Sequence, residues 1–160
     1  MKEIKLTQGK IALVDDADFE RVSAIDWHAR KEYKVDGSFY AGKSMKIDGK
    51  WRTVFLHRFI LGNVPKGKLV DHIDGNGLNN QRSNLRICNM SENMCNRRVN
   101  KNSTSGLKGV SWSKRAGKWI SRIRKNSEII NLGVFTDKFE AHQAYVAACN
   151  KYHGEYARTQ

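Results

Sequence analysis

The chain has 160 residues, with 29 lysines and arginines against 16 acidic residues, a formal net charge of +13 and a pI near 9.9. That length holds one ordinary domain or two to three very small ones, and the charge calls for a polyanionic partner, either nucleic acid or an acidic membrane surface. Three cysteines (Cys88, Cys95 and Cys149) without a C-x-x-C pair argue against a disulfide framework and a cysteine-rich zinc site, and fit a reduced, intracellular setting. Met1 leads into no signal-peptide core, and no apolar run approaches the ~18 residues that span a bilayer, which leaves nucleic acid as the favoured polyanion.

In chain order, Glu3–Leu6 and Lys10–Val14 around Gly9 predict a β-hairpin. Asp15-Asp16-Ala17-Asp18 predicts an N-cap and acidic first turn for a short helix carrying Phe19, Val22 and Ile25. Phe39–Ala41 and Arg52–Phe55 read as strands joined by a turn at Asp48-Gly49. Residues 1–55 thus form a small β-rich module without a catalytic grouping. Its open roles are scaffold and auxiliary DNA contact, which the residues alone do not rank. Leu56–Leu61 predicts a short helix stopped at Gly62; His57 on it reads as a satisfied histidine rather than a ligand, and Arg58 as a weak phosphate contact.

The richest stretch is Val70-Asp71-His72-Ile73-Asp74-Gly75-Asn76-Gly77, continued by Ser83-Asn84-Leu85-Arg86 and Ser91-Glu92-Asn93. A short strand ends in Asp71-His72, a Gly/Asn loop turns the chain, a second short strand follows, and a helix opens near Ser91 under an Asn89 cap. Phosphodiester hydrolysis needs an activated water and help for the leaving 3′ oxygen. Histidine is the natural base near neutral pH, and carboxylate and amide oxygens are hard ligands suited to Mg²⁺. Taken alone, an Asp-His dipeptide more often marks a turn, and Asn-rich loops more often serve backbone geometry.

Beyond it, Arg97-Arg98 precedes a polar linker at 100–106. Residues 107–160 then read as three antiparallel strands (Gly109–Ser113, Lys118–Arg124 and Ile129–Phe135) with turns at Arg115-Ala116-Gly117 and Lys125-Asn126-Ser127. A helix follows from Lys138 to Tyr152, with Ala141, Ala144, Tyr145, Ala148, Cys149 and Tyr152 facing inward. Strand parity puts Trp119, Ser121 and Ile123 under the helix and leaves Lys118, Ile120, Arg122 and Arg124 on an uncovered cationic face, to which DNA binding is assigned. The predicted fold class is α+β.

Asp71-His72, Asn84 and Asn93, within the pattern Val-Asp-His-Ile-Asp-Gly-Asn-Gly-Leu-Asn-Asn…Ser-Asn-Leu-Arg…Glu-Asn, closely resemble the HNH endonuclease signature of the ββα-metal fold, in its phage and intron-encoded homing form. The resemblance covers residues 56–99. It implies His72 as general base, Asp71 as metal ligand, Asn84 as brace of the loop, and Asn93, in place of the family's final histidine, as second ligand. It also implies Mg²⁺ or Mn²⁺ as cofactor and, with the C-x-x-C staple of some relatives missing, no structural zinc. Residues 107–160 resemble an AP2/ERF-type DNA-binding domain through Gly109-Val110…Gly117-Lys118-Trp119…Arg122-Ile123-Arg124…Leu132-Gly133-Val134-Phe135. Matching positions imply DNA contacts by Lys108, Ser111, Ser113, Arg115, Lys118, Arg122, Arg124 and Asn131, beside Arg58, Arg97 and Arg98. Ser111, Ser113, Ile129 and Asn131 depart from that family's arginines and tryptophans, so the binding mode carries over and the target sequence does not. The two resemblances together imply a site-directed DNA endonuclease of phage or mobile-element type that nicks one strand per monomer. They imply a place in the cytoplasm on double-stranded DNA, with no membrane and no evident protein partner. The alternative is an AP2-type regulator whose HNH core grips DNA without cutting; an RNA-directed protein ranks last.

Overall fold

The computed structural model describes residues 1–31, 38–100, 102–125 and 128–159; Asn126 and Ser127 of the expected turn and Lys101 of the expected linker lie outside them. The architecture is α+β, in two compact units, Met1–Cys88 and Asn89–Gln160. Among the described residues no helix is long and apolar enough to cross a membrane.

The first unit opens with the hairpin of β1 (Lys2–Lys5) and β2 (Ile11–Val14), whose alternation buries Ile4, Ala12 and Val14. Helix α1 (Asp16–Ser23) follows with Asp16 and Asp18 in its first turn, where carboxylates oppose the helix dipole. Two details differ from expectation. Ile25 lies beyond the helix, which ends at Ala24, and packs on the same core from outside. Asp15 makes no side-chain capping bond, because its carboxylate accepts the Arg82 amide at 2.8 Å and Gln81 Nε2 at 3.3 Å instead. An unexpected strand, β3 (His28–Lys31), pairs with β4 (Phe39–Ile47), and β4 with β5 (Lys50–Phe55). Both expected strands are thus longer than read, because Asp48 (φ 49°) and Gly49 (φ 76°) turn the chain tightly enough to pair residues to the tip. Helix α2 (Leu56–Leu61) ends at Gly62. Strands β6 (Leu69–His72) and β7 (Leu85–Cys88) then pair antiparallel. Ser83 and Asn84 sit in a 3₁₀ turn just ahead of β7, at the exit of the loop. Val14, Val22, Trp27, Ala41, Leu56, Ile60 and Leu85 share one core, so residues 1–55 and the strands after them fold around the same apolar centre.

The second unit begins with α3 (Met90–Cys95), closed by a capping box in which Asn89 accepts the Glu92 amide and Glu92 accepts the Asn89 amide. Strands β8 (Val110–Ser113), β9 (Lys118–Lys125) and β10 (Glu128–Phe135) form a sheet in the order β10-β9-β8. Helix α4 (Lys138–His153), capped by Asp137, buries Ala141, Tyr145, Ala148 and Cys149 with Ile123 of the sheet. Gly109 (φ 75°) lies so close to the Tyr145 ring that a Cβ there would overlap it. Trp119, expected in this core, is only partly buried; its partner across the ladder, Trp112, meets it edge-to-face at 4.9 Å and is 44% exposed. Trp119 shares the face of Ser121 and Ile123, but the tryptophan pair lies outside the cluster that α4 buries.

The first unit is held across its layers by one buried acid. Asp18, 2% exposed, accepts Arg21 at 2.5 Å and Arg82 at 2.8 and 2.9 Å, and both arginines also donate to the Ile60 carbonyl at the end of α2. The Arg82 hydrogen bonds, with Arg21 adding to them, hold the Asp18 carboxyl below its ordinary value of 3.8 against the opposing effect of burial. Without Asp18 the two half-exposed guanidiniums turn to water, and what is lost is a set of charge-assisted hydrogen bonds that join three elements. Asp18→Ala is therefore expected to destabilise the chain by about 2 kcal/mol in urea titration. Because the folded value is depressed, the wild-type advantage holds above 3.8 and fades as pH falls through the lower folded value. An advantage that grows on acidification would contradict this assignment.

Candidate active site

Strand β6 ends in Asp71 and His72, both buried, and its register sets Asp71 opposite Arg86 and His72 opposite Leu85. The Arg86 guanidinium donates to Asp71 Oδ2 at 2.9 and 2.7 Å, a charge-assisted pair with little exposure on either side. The loop that follows is built from Asx turns. Asp74 Oδ1 accepts the Asn76 amide at 2.7 Å, and Asn76 Oδ1 accepts the Leu78 amide at 3.1 Å. Asn84 stands at its centre: its Oδ1 accepts the Asp74 amide, and its Nδ2 donates to Asp74 Oδ1 and to the Asn79 carbonyl. Gly77 lets the loop rest on β4, since a Cβ there would meet the Phe39 carbonyl at 2.5 Å and the Tyr40 ring at 2.6 Å.

The His72 ring lies in an aromatic nest. Tyr40 meets it at 5.6 Å and His57 at 5.2 Å, both edge-on, while Phe55 stacks on His57 at 5.5 Å. His72 Nε2 stands 3.5 Å from Oδ1 of the fully buried Asn80. Burial lowers the His72 pKa most, against the opposing pull of Asn80, Asp74 and Asp71, so the imidazole is neutral at neutral pH. His57, read from sequence as a satisfied histidine, is 8% exposed and its Nδ1 has no hydrogen-bond partner among the described residues; burial, then His72 and Arg58, push its pKa down to about 3.

Asp71, His72 and Asn84 are thus brought together by the β6–β7 unit. Asn93 stands on α3 in the second unit, partly buried. Among the described residues no group of three or more His, Cys, Asp and Glu side chains forms a ready-made metal cage. The Asp71 carboxylate is a donor of the type that suits a hard cation, one that keeps waters and takes substrate phosphates as ligands. Sequence reasoning passed over Arg86, Asn80 and Tyr40. Arg86 could have been found from strand pairing, because the β6–β7 register puts it across from Asp71; Asn80 and Tyr40 carry no local signal.

Of the residues assigned to DNA contact, Arg97, Arg98, Ser111, Arg115, Lys118, Arg122, Arg124 and Asn131 are exposed. Asn131 pairs with Arg122, Ile129 with Arg124, Ser111 with Ile120 and Ser113 with Lys118, so Ser111, Ser113, Lys118, Arg122, Arg124 and Asn131 line one sheet face. Arg58 donates to the Lys68 carbonyl at 2.8 Å, and the Lys108 ammonium bonds the Cys95 carbonyl, with burial lowering its pKa. Ser113 Oγ accepts the Ala116 amide. These three side chains have structural partners within their own units.

Comparison with known proteins bears on residues 54–95, which match a family model described as HNH endonuclease. The chain is 38% identical over 97 residues to Protein 3.8 of Escherichia phage T7, covering 61% of this chain and 79% of that protein. It is 30% identical over 151 residues to an uncharacterized HNH endonuclease of Acanthamoeba polyphaga mimivirus, covering 87% of this chain and 73% of the relative. A match centred on the segment that carries Asp71, His72 and Asn84, with relatives covered over most of their length, places this chain in the HNH endonuclease family.

Proposed function

We propose that the chain is a metal-dependent, site-directed DNA endonuclease of homing type, with His72 as general base and an AP2-like sheet face in residues 107–160 as the targeting surface. The observation that carries the reading is the end of β6, where Asp71 and a neutral, buried His72 stand beside a loop braced by Asn84, inside the segment that matches the family.

The base role follows from the chemistry of the nest. A neutral imidazole can accept a proton, and its burial keeps it in that form at neutral pH. With Nε2–H directed to Asn80 Oδ1, Nδ1 is the nitrogen that takes the proton from the attacking water. Asn84 sets the loop that follows His72 and so fixes where the imidazole stands. Asp71, its carboxylate shared with Arg86, would hold Mg²⁺ or Mn²⁺, and Asn93 is the second ligand that the family resemblance implies. Bound there, the cation supplies charge neutralisation at the scissile phosphate and at the leaving 3′ oxygen. One such centre per chain makes the monomer a nickase.

The targeting role is supported by the exposed row Lys118, Arg122 and Arg124 on β9, flanked by Ser111 and Asn131. A sheet can enter the major groove, where arginine pairs with guanine edges. Phosphate contacts made by such a face leave a salt signature.

Supercoiled plasmid incubated with wild type and Mg²⁺ is expected to yield nicked circles, with none in EDTA and none from His72→Ala. Tight, salt-sensitive binding without cutting by the wild type would reject the enzyme and favour the AP2-type regulator with a non-cleaving core. For the targeting face, Arg122→Ala combined with Arg124→Ala is expected to flatten the slope of log K against log salt by about two on duplex DNA. An unchanged slope would remove this face from the contact surface.

A further inference from the structure

The β4–β5 hairpin serves no purpose in the core beyond its base. Alternate residues of the β3–β5 sheet point to opposite faces, and cross-strand partners share a face, so Arg30, Tyr40, Ser44, Lys46, Trp51, Thr53 and Phe55 line one side. The inner end of this face is the aromatic nest itself, because Tyr40 packs on both His57 and His72, and Phe55 stacks on His57. Its outer end is solvent: Ser44, Lys46, Trp51 and Thr53 are exposed, and Trp51 is 74% exposed. No structural need explains an indole presented to water at a hairpin tip, where an apolar side chain favours aggregation. On the same face stand its cross-strand partner Lys46 and, further in, Arg30, while Lys43, Lys50 and Arg52 lie on the opposite face, so residues 43–52 carry four cations against the single carboxylate of Asp48.

We infer that this hairpin is a DNA-contact arm of the nuclease unit, in which Lys46 and its neighbours take backbone phosphates and Trp51 packs on a base or deoxyribose beside the scissile site. The inference rests on the nuclease reading for the position of the cut and on charge and exposure for the partner. Trp51 lies four residue steps from Phe55, about 14 Å at strand rise, which is about four base steps along a strand of DNA. The arm therefore reaches the substrate on one flank of His72 and lies on the same sheet face. An aromatic ring among cations is the pairing that nucleic acid uses, stacking for the base and charge for the phosphate. It also ranks the two roles left open for residues 1–55: the inner halves of β4 and β5 build the core, and their outer halves hold DNA.

The test is binding of the full chain to a fluorescein-labelled duplex of mixed sequence in EDTA, over a range of salt, with hydroxyl-radical footprinting and the plasmid-nicking assay in parallel. Trp51→Ala is expected to weaken binding about tenfold with the salt slope unchanged. Lys46→Ala is expected to lower the slope by about one. Both should shorten the footprint on one flank. Both sites are exposed, and unchanged circular dichroism checks that the variants fold. Unaltered affinity, slope and footprint in both variants would overturn the inference, as would variants that lose self-association instead, since the tip would then contact a second copy. Metal-dependent nicking together with hairpin-insensitive binding would remove the arm and leave the nuclease reading standing. Hairpin-dependent binding by a chain that cuts nothing would do the reverse.

Discussion

Two backbone hydrogen bonds hold the candidate site to the rest of its unit. The Leu13 amide donates to the Leu78 carbonyl, and the Leu13 carbonyl accepts the Asn80 amide, both at 2.8 Å. They add the loop to the edge of β2 as a short parallel bridge. An Asn-rich loop has little apolar surface of its own, so without this edge its Asx turns would hold local shape but no place in the fold. Pinned at Asn80, the loop carries that residue's amide side chain to His72 and seats Gly77 on Tyr40. Arg82, two residues further, then ties the loop's exit to Asp18 and the end of α2. The N-terminal hairpin and helix are therefore part of what orients the histidine.

The electrostatics of the site run against the composition of the chain. A protein of net charge +13 surrounds its histidine with neutral rings and with a carboxylate already matched by Arg86. Low local dielectric favours the uncharged imidazole, and the nearby acids only partly offset it. The surplus cations lie instead on exposed strands, the β4–β5 tip and the open face of β9 among them. This separation has a physical logic. Cations at the histidine would lower its proton affinity further, whereas cations on the outer strands attract the polyanion without touching the base.

Local pattern carried most of the elements. The alternation in Lys118–Arg124, the alanine face of α4 and the Asn89 cap of α3 are short-range signals, and each element stands where its signal put it. What was not legible depends on distant partners. Asp15 looks like a cap and acts as a tether for Arg82; Asp18 looks like a first-turn acid and is, among the described residues of the unit, the most buried charge. Strand β3 has only four residues, His-Ala-Arg-Lys, with no apolar alternation, and exists because β4 offers it an edge. In the site, the motif named Asp71, His72 and Asn84. The nest around them comes from Tyr40, Phe55 and His57, side chains supplied by a sheet and helix that precede the motif.

Cutting and choosing where to cut place different demands on these side chains. Phosphate contacts set register and affinity but carry no base information, so the lysines of the hairpin tip can fix the strand at His72 without selecting a sequence. Selection needs donors and acceptors aimed at base edges. On the proposed targeting face the candidates are few: Arg122 and Arg124 as guanine readers, and Asn131, opposite Arg122 in the ladder, as an adenine reader. Ser111 and Ile120, paired across β8 and β9, are too short to reach deep into a groove and serve closeness of approach. A reading head of three long side chains discriminates only a few base pairs. On this reading the chain's site preference is short and tolerant, and the strongly positive charge contributes more to holding DNA than to recognising it.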